Sequence, residues 1–491
     1  MNFHEYCRYD GLGLADLVSK GQISPQELLD IAVARMQEVN PLINAVVIDM
    51  TQIAKERIAN DFLAGPFAGV PFLLKNLEQQ YQGAFTDNGS AAIQKANIPS
   101  KVHAPITQRW LDAGVVIFGQ TNAPEFGLLP FTEPKLHGPT CNPWDLRLTP
   151  GGSSGGAAAA VAAGIVPMAG ANDAGGSIRG PAAVCGLFGF KPGRGITPWG
   201  PYGNDMLHGA ALNHVITRSV RDSAAMLDVS CTRKPARPYL EEVSREPKPL
   251  RIGFWTQSPL GMPISYEAQL AVNEAAGLLE SLDHHVEEAQ PIIDYEALFE
   301  DVLILMCANT AAITDFVLKT HPSKRADFEF NTRILAKLGK SIGADEYLAS
   351  LRRWQDHQDG LRGFFSKYDV YITPALACSA PLIGAFAINP LQQLTMMFLQ
   401  SLGLSRSLMK SASFAQIVRQ TLQFSPFTML ANLTGIPAMS VPLHWTAENM
   451  PLGVQLMADQ NQEGLLFQLA GQLEKVQPWF DRIPMLCGDK N

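Results

Sequence analysis

Two serines, each set among glycines, carry the strongest chemical signal in the chain. Ser153 lies in Gly151-Gly152-Ser153-Ser154-Gly155-Gly156, and Ser177 in Asp173-Ala174-Gly175-Gly176-Ser177-Ile178-Arg179. Glycines on both sides let a backbone take φ > 0 and approach a ligand closely. Successive N–H groups in such a turn can converge on one anionic oxygen. A hydroxyl beside an N–H nest is what acyl transfer needs: a nucleophile and a place for the developing oxyanion.

Plainer readings compete with this one. Gly-Gly-Ser-Ser-Gly-Gly also describes a flexible linker, but a linker would not run straight into residues 157–164, a block of small, mostly helix-forming side chains. No phosphate-binding glycine motif is present. Gly151-x-Ser153-x-Gly155 matches the nucleophile elbow of α/β-hydrolases, which needs a strand running directly into it and an acid and a histidine downstream. Pro150 stands where that strand would end, and His208, His214, His284, His285, His321, His357 and His444 sit in no recognisable motif. An esterase of that class, with Ser153 as nucleophile, stays open as an alternative.

The block from 150 to 195 resembles the amidase signature family, whose hallmark is a glycine–serine stretch followed by a D-x-G-G-S-[IV]-R segment. Ser153 and Ser177 are 24 residues apart, as the family's two catalytic serines are, and Gly69-Val70-Pro71-Phe72-Leu73-Leu74-Lys75 is similar to the segment that ends in its catalytic lysine. Thr121-Asn122-Ala123-Pro124-Glu125-Phe126-Gly127 resembles the segment bordering the family's substrate pocket. Asn142-Pro143-Trp144-Asp145, Tyr368-Asp369-Val370-Tyr371-Ile372-Thr373-Pro374 and Gly453-Val454-Gln455-Leu456 resemble further family segments. The likeness runs from about residue 10 to residue 474.

It implies an α/β fold, a single large domain whose mixed, twisted sheet is covered by helices on both faces. It also implies a serine–lysine triad with Ser177 as nucleophile, Ser153 as a relay held in a cis peptide, and neutral Lys75 as base. The amides of Ala174, Gly175, Gly176 and Ser177 would form the oxyanion hole. No metal or other cofactor is implied. Asp173 and Arg179 are expected to tie the loop ends, and Ser154 to be a hydrogen-bonding loop residue. An ordinary lysine would snorkel to water, but Lys75 follows Phe72-Leu73-Leu74, and apolar surroundings favour the unprotonated amine a base must be. The family usually has Asp after this lysine. Here it is Asn76, which implies a changed contact behind the lysine.

Within the family, GPFAGVPFLLKNL, TEPKLHGPTCNPWDL and PWFDRIP look like the branch of 6-aminohexanoate-cyclic-dimer hydrolases. In that branch a cysteine on a helix beyond the core touches substrate. Cys307 is the candidate, with a buried small hydrophobe as the plain alternative, and Phe126 is the candidate pocket residue. The implied substrate is a small linear or cyclic amide with an apolar acyl part. An amidotransferase subunit working with a partner stays open, as does a homodimer. A non-catalytic binding protein is disfavoured by the intact Lys75, Ser153 and Ser177.

Elements must position these residues. Ser24-Pro25-Gln26-Glu27 is a capping box with Pro at the first helical position, and the spacing predicts a helix over 25–39, ended by Asn40-Pro41. Residues 70–74 read as a short buried strand delivering Lys75. Residues 43–49, 115–119, 251–255 and 368–374 read as strands; 51–63, 104–113, 219–227, 266–282, 294–318 and 345–365 read as helices. The chain divides into an N-terminal helical region (1–65), a catalytic core (66–230), an α/β and helical region packed on it (231–365) and closing strands and helices (366–491). Residues 232–249 read as a polar, proline-rich connection, and 390–425 as core helix or as an adaptable wall of the acyl pocket. At 491 residues, 46% hydrophobic and 17% charged, the chain suits a folded enzyme. Net charge −8 with no basic cluster argues against nucleic acid. Residues 157–171 are too short for a membrane span. Seven scattered cysteines without a C-x-x-C pair and an N-terminus without a signal peptide suit the cytoplasm.

Overall fold

The computed structural model describes residues 1–389, except 202 and 204, together with 393 and 423–487. The stretch 390–425, read from sequence as core helix or pocket wall, therefore falls almost wholly outside the described residues. Among the described residues, eleven strands form one sheet. In chain order they are β1 (Val46–Asp49), β2 (Pro71–Lys75), β3 (Val116–Thr121), β4 (Met168–Asp173), β5 (Phe188–Lys191), β6 (Leu212–Thr217), β7 (Arg251–Phe254), β8 (His285–Glu288), β9 (Val370–Pro374), β10 (Ala438–Trp445) and β11 (Pro451–Ala458). Their spatial order is β1-β3-β2-β4-β6-β5-β10-β11-β9-β7-β8. The sheet is mixed: β3, β2 and β4 run parallel, the middle from β4 to β9 is antiparallel, and β9, β7 and β8 are parallel again.

Both faces are covered, and β2 shows how. Its five residues are all buried, so it reads as a continuous apolar run rather than an alternating one. Leu73 packs with the Pro25–Ile43 and Gly155–Ala162 helices, while Phe72 and Leu74 pack on the opposite face with Trp110 and Met226. Alternation along the strand puts Lys75 on the Leu73 side. That side carries the glycine–serine turn, at the N-terminus of the Gly155–Ala162 helix. The small side chains there matter: a Cβ on Gly156 would stand 2.4 Å from Asn122 N and 2.8 Å from Ala45 O.

Two expectations need correction. The helix begun by the Ser24 capping box does not stop at Asn40-Pro41 but runs Pro25–Ile43, with Asn44 in the left-handed region (φ 48°) as its end. The buried stripe of Leu28, Leu29, Ala32, Met36 and Val39 continues to Ile43, and that burial holds the last turn although Pro41 lacks an N–H. Residues 232–249 are not only a connection, because the Tyr239–Val243 helix lies inside them and buried Tyr239 packs on Phe467. The following α/β unit adds β7 and β8 to the common sheet. The Tyr295–Thr320 helix has the length and apolarity of a membrane span. Here its Leu298, Val302 and Leu305 are buried in the core, and Leu303 and Met306 line a cavity.

Candidate active site

Lys75 ends β2 fully buried, and three oxygens surround its amine. Nζ lies 2.7 Å from Ser153 Oγ, 2.9 Å from Ser154 Oγ and 2.7 Å from Asn172 Oδ1. Gln79 fixes the strand end, accepting from Lys75 N at 2.7 Å and donating to Ala171 O at 3.0 Å, so it bridges β2 to β4. Burial pulls the Lys75 pKa well below that of a solvated lysine, against the pull of the Asp173 carboxylate. The Gly152–Ser153 peptide is cis.

The second turn leaves β4 at Asp173. This carboxylate accepts from Gly176 N at 2.7 Å and Ile178 N at 3.1 Å, and pairs with Arg179 on both oxygens at 2.9 and 3.0 Å. Burial by itself would raise the Asp173 pKa, but the Arg179 guanidinium overcomes it and holds the carboxyl well below the usual range. Arg179 reaches on to Thr428 O, Gln455 and Asn432, so the closing segment clamps the same turn. Ser177 is half-buried, and it shares with Ser153 the wall of a cavity of about 210 Å³. Phe126, Leu303, Met306, Ile334 and Met429 make most of that cavity apolar.

A family model for amidases matches residues 27–467. The 6-aminohexanoate-cyclic-dimer hydrolase of Paenarthrobacter ureafaciens is 34% identical, over 97% of this chain and 96% of that one. The chain belongs to the amidase signature family. A lipoamidase of Enterococcus faecalis is also 34% identical, over 96% of this chain and 63% of its own length. The solved structure of 6-aminohexanoate cyclic dimer hydrolase complexed with substrate superposes with a TM-score of 0.88, covering 98% of this chain and all of that one. The chain is thus an enzyme that hydrolyses carbon–nitrogen amide bonds, with the single-domain α/β fold expected from its sequence.

In this amidase Lys75 and Ser153 touch, and Ser177 and Phe126 line the same cavity. Phe126 takes φ 51°, and its ring lies 6.1 Å from that of Phe328. Cys307 does not reach the cavity. Leu303, Met306, Thr310 and Ile313 present the cavity face of its helix, whereas Cys307 is buried with Phe330, Ile334 and Leu338. The neighbouring helix comes so close that a Cβ on Gly339 would meet Cys307 O at 2.0 Å. Burial pushes the Cys307 thiol up to about 12, that of an inert small hydrophobe.

The Gly176 N–H is already given to Asp173, which corrects its place among the oxyanion donors and leaves Ala174, Gly175 and Ser177 as the amides of the turn that Asp173 does not take. Asn76 donates to Asp87 at 2.6 Å, and Asp87 also meets His137 Nε2 at 2.9 Å, so a carboxylate is held one residue behind the lysine by a neutral amide. Ser154 is a hydrogen-bonding loop residue, donating to Asn172 O at 3.2 Å. Asn172 and Gln79 were missed in sequence. Their signal was slight: one polar residue just before Asp173 in an apolar strand, and one four positions after Lys75.

Proposed function

We propose that this amidase cleaves a carboxylic amide, linear or cyclic, through an acyl-enzyme on Ser177, with Ser153 as proton relay and Lys75 as base. The hydrogen-bond arrangement at Nζ carries the reading. Ser154 spends its own proton on Asn172 O and so accepts from Nζ, and Asn172 Oδ1 can only accept. The neutral amine that burial favours would give its two N–H groups to these two acceptors and turn its lone pair to the Ser153 hydroxyl, 2.7 Å away. Ser153 passes the Ser177 proton to Lys75 as Ser177 Oγ attacks the carbonyl carbon. The oxyanion falls to the amides of Ala174, Gly175 and Ser177, each such donor being worth about 3–4 kcal/mol of barrier. The proton returns through Ser153 to the leaving amine, and water repeats the cycle on the ester.

The apolar cavity and the likeness to 6-aminohexanoate-cyclic-dimer hydrolases favour a small amide with an aliphatic chain over a peptide. The test is trapping with a fluorophosphonate and mapping the labelled serine. Ser177→Ala is expected to abolish turnover and labelling, and Ser153→Ala to leave slow labelling. A label on Ser153 would overturn the assignment in favour of the esterase alternative. Turnover by the purified chain alone would exclude a need for a partner subunit.

A further inference from the structure

The cavity above the serine turns is apolar almost throughout, and Glu78 is the one ionisable side chain among its described lining residues. Glu78 stands three residues beyond Lys75 with φ 58°, a left-handed conformation that residues other than glycine seldom adopt. Asn88, itself at φ 53°, brackets it: Glu78 N donates to Asn88 Oδ1 at 3.4 Å, and Asn88 Nδ2 donates to Glu78 Oε1 at 3.5 Å. Burial raises the Glu78 pKa against the hydrogen bonds it receives, and no ion pair to it occurs among the described residues. A carboxyl group held in an apolar chamber without a counter-charge is costly unless the ligand supplies one.

The preceding residue shows which part of a ligand would meet it. A Cβ on Gly127 would stand 2.7 Å from Leu77 Cδ2 and 3.2 Å from Ser153 Oγ, so Leu77 and Ser153 flank one point. Asn172, the partner of Lys75 Nζ, donates to Leu77 O at 3.1 Å. Glu78, the next residue in the chain, lines the same cavity as Ser153, from which the leaving amine receives its proton in the mechanism proposed above. We propose that Glu78 is a specificity residue that binds a primary ammonium on the leaving-amine half of the substrate. The cavity then takes mono-acylated diamines, R–CO–NH–(CH2)n–NH3+, in which an apolar spacer lies against the walls and the cation meets the carboxylate. This inference rests on the Ser153 relay proposed above.

The test compares N-(5-aminopentyl)hexanamide with N-hexylhexanamide, in which a methyl replaces the ammonium, on wild type and Glu78→Gln. Wild type is expected to prefer the ammonium substrate in kcat/KM, and the Gln variant to lose at least about tenfold of that preference, as the ammonium then meets a neutral amide in place of a carboxylate. Fluorophosphonate labelling of Ser177 in the variant reports that the site is still assembled. Should the variant fail to label, wild type alone decides, since the absence of an ammonium preference overturns the proposal. Equal loss on both substrates would overturn it as well, as would a selective loss on an amide carrying the ammonium in its acyl half. Wild type that turns over neither amide and takes no label on Ser177 would instead sink the amidase mechanism, a separate failure.

Discussion

Lys75 has a lone pair to offer only while its ammonium is disfavoured, and burial at the end of β2 is the physical cause. The sign of its pH dependence follows. The proposed mechanism requires the neutral amine, so the acylation rate should rise with pH through a Lys75 pKa well below the solvated value of about 10.4. Lys75→Arg should lower acylation by orders of magnitude, since a guanidinium stays charged and cannot accept a proton. Asn172→Asp should move the acidic limb to higher pH by roughly one unit or more, because a carboxylate against Nζ favours the ammonium. Pre-steady-state acylation against pH checks both. An unmoved limb in the Asp variant would mean that another group titrates there.

Between β4 and the helix Arg179–Cys185, the serine turn is held by a fully buried ion pair. Such a pair contributes little net stability, but removing one partner leaves a charge with nothing to meet it. Arg179→Met strands the Asp173 carboxylate and also cuts the links to Thr428, Gln455 and Asn432. The expected cost is about 3–5 kcal/mol, measured as a lower urea midpoint. Because Asp173 also accepts from Gly176 and Ile178, turnover at permissive temperature should fall with the loss of turn geometry, even where the fold survives.

Two helix N-termini meet where the first part of the chain docks on the rest. Asp222 accepts from Gly11 N at 2.6 Å and Leu12 N at 2.9 Å, while Asp10 receives Ser219 Oγ at 2.9 Å and pairs with Arg221. Burial, with Asp10 adding to it, pushes the Asp222 carboxyl up to about 8. A raised acid pKa means that the folded state keeps a proton the unfolded chain releases near pH 4. The contribution to stability is therefore complete below about pH 4 and is lost as pH rises through about 8. Asp222→Asn keeps an acceptor for one of the two amides and removes the titration. Its Tm should decline less between pH 5 and 8 than that of wild type. Parallel curves would show that Asp222 does not carry the proton.

The mixed α/β architecture was implied by the family resemblance, and the local elements that carry the proposed triad residues were legible in the chain because short-range rules determine them. Glycine flanks permit the turns, an apolar run makes β2, and a capping box starts the first long helix. What each side chain meets across the fold was decided by tertiary packing. Cys307 was a candidate pocket residue by resemblance to the 6-aminohexanoate-cyclic-dimer hydrolase branch, yet the face its helix turns to the Phe330–Gly339 helix buries it away from the cavity. Gly176 looked like an oxyanion donor until Asp173 was found to take its N–H. Lys75 seemed to have little polar company, and the neighbours it has, Ser153, Ser154 and Asn172, come from 78, 79 and 97 residues away. Helix and strand periods set which way a residue faces, but the partner on that side is fixed only when eleven strands close into one sheet.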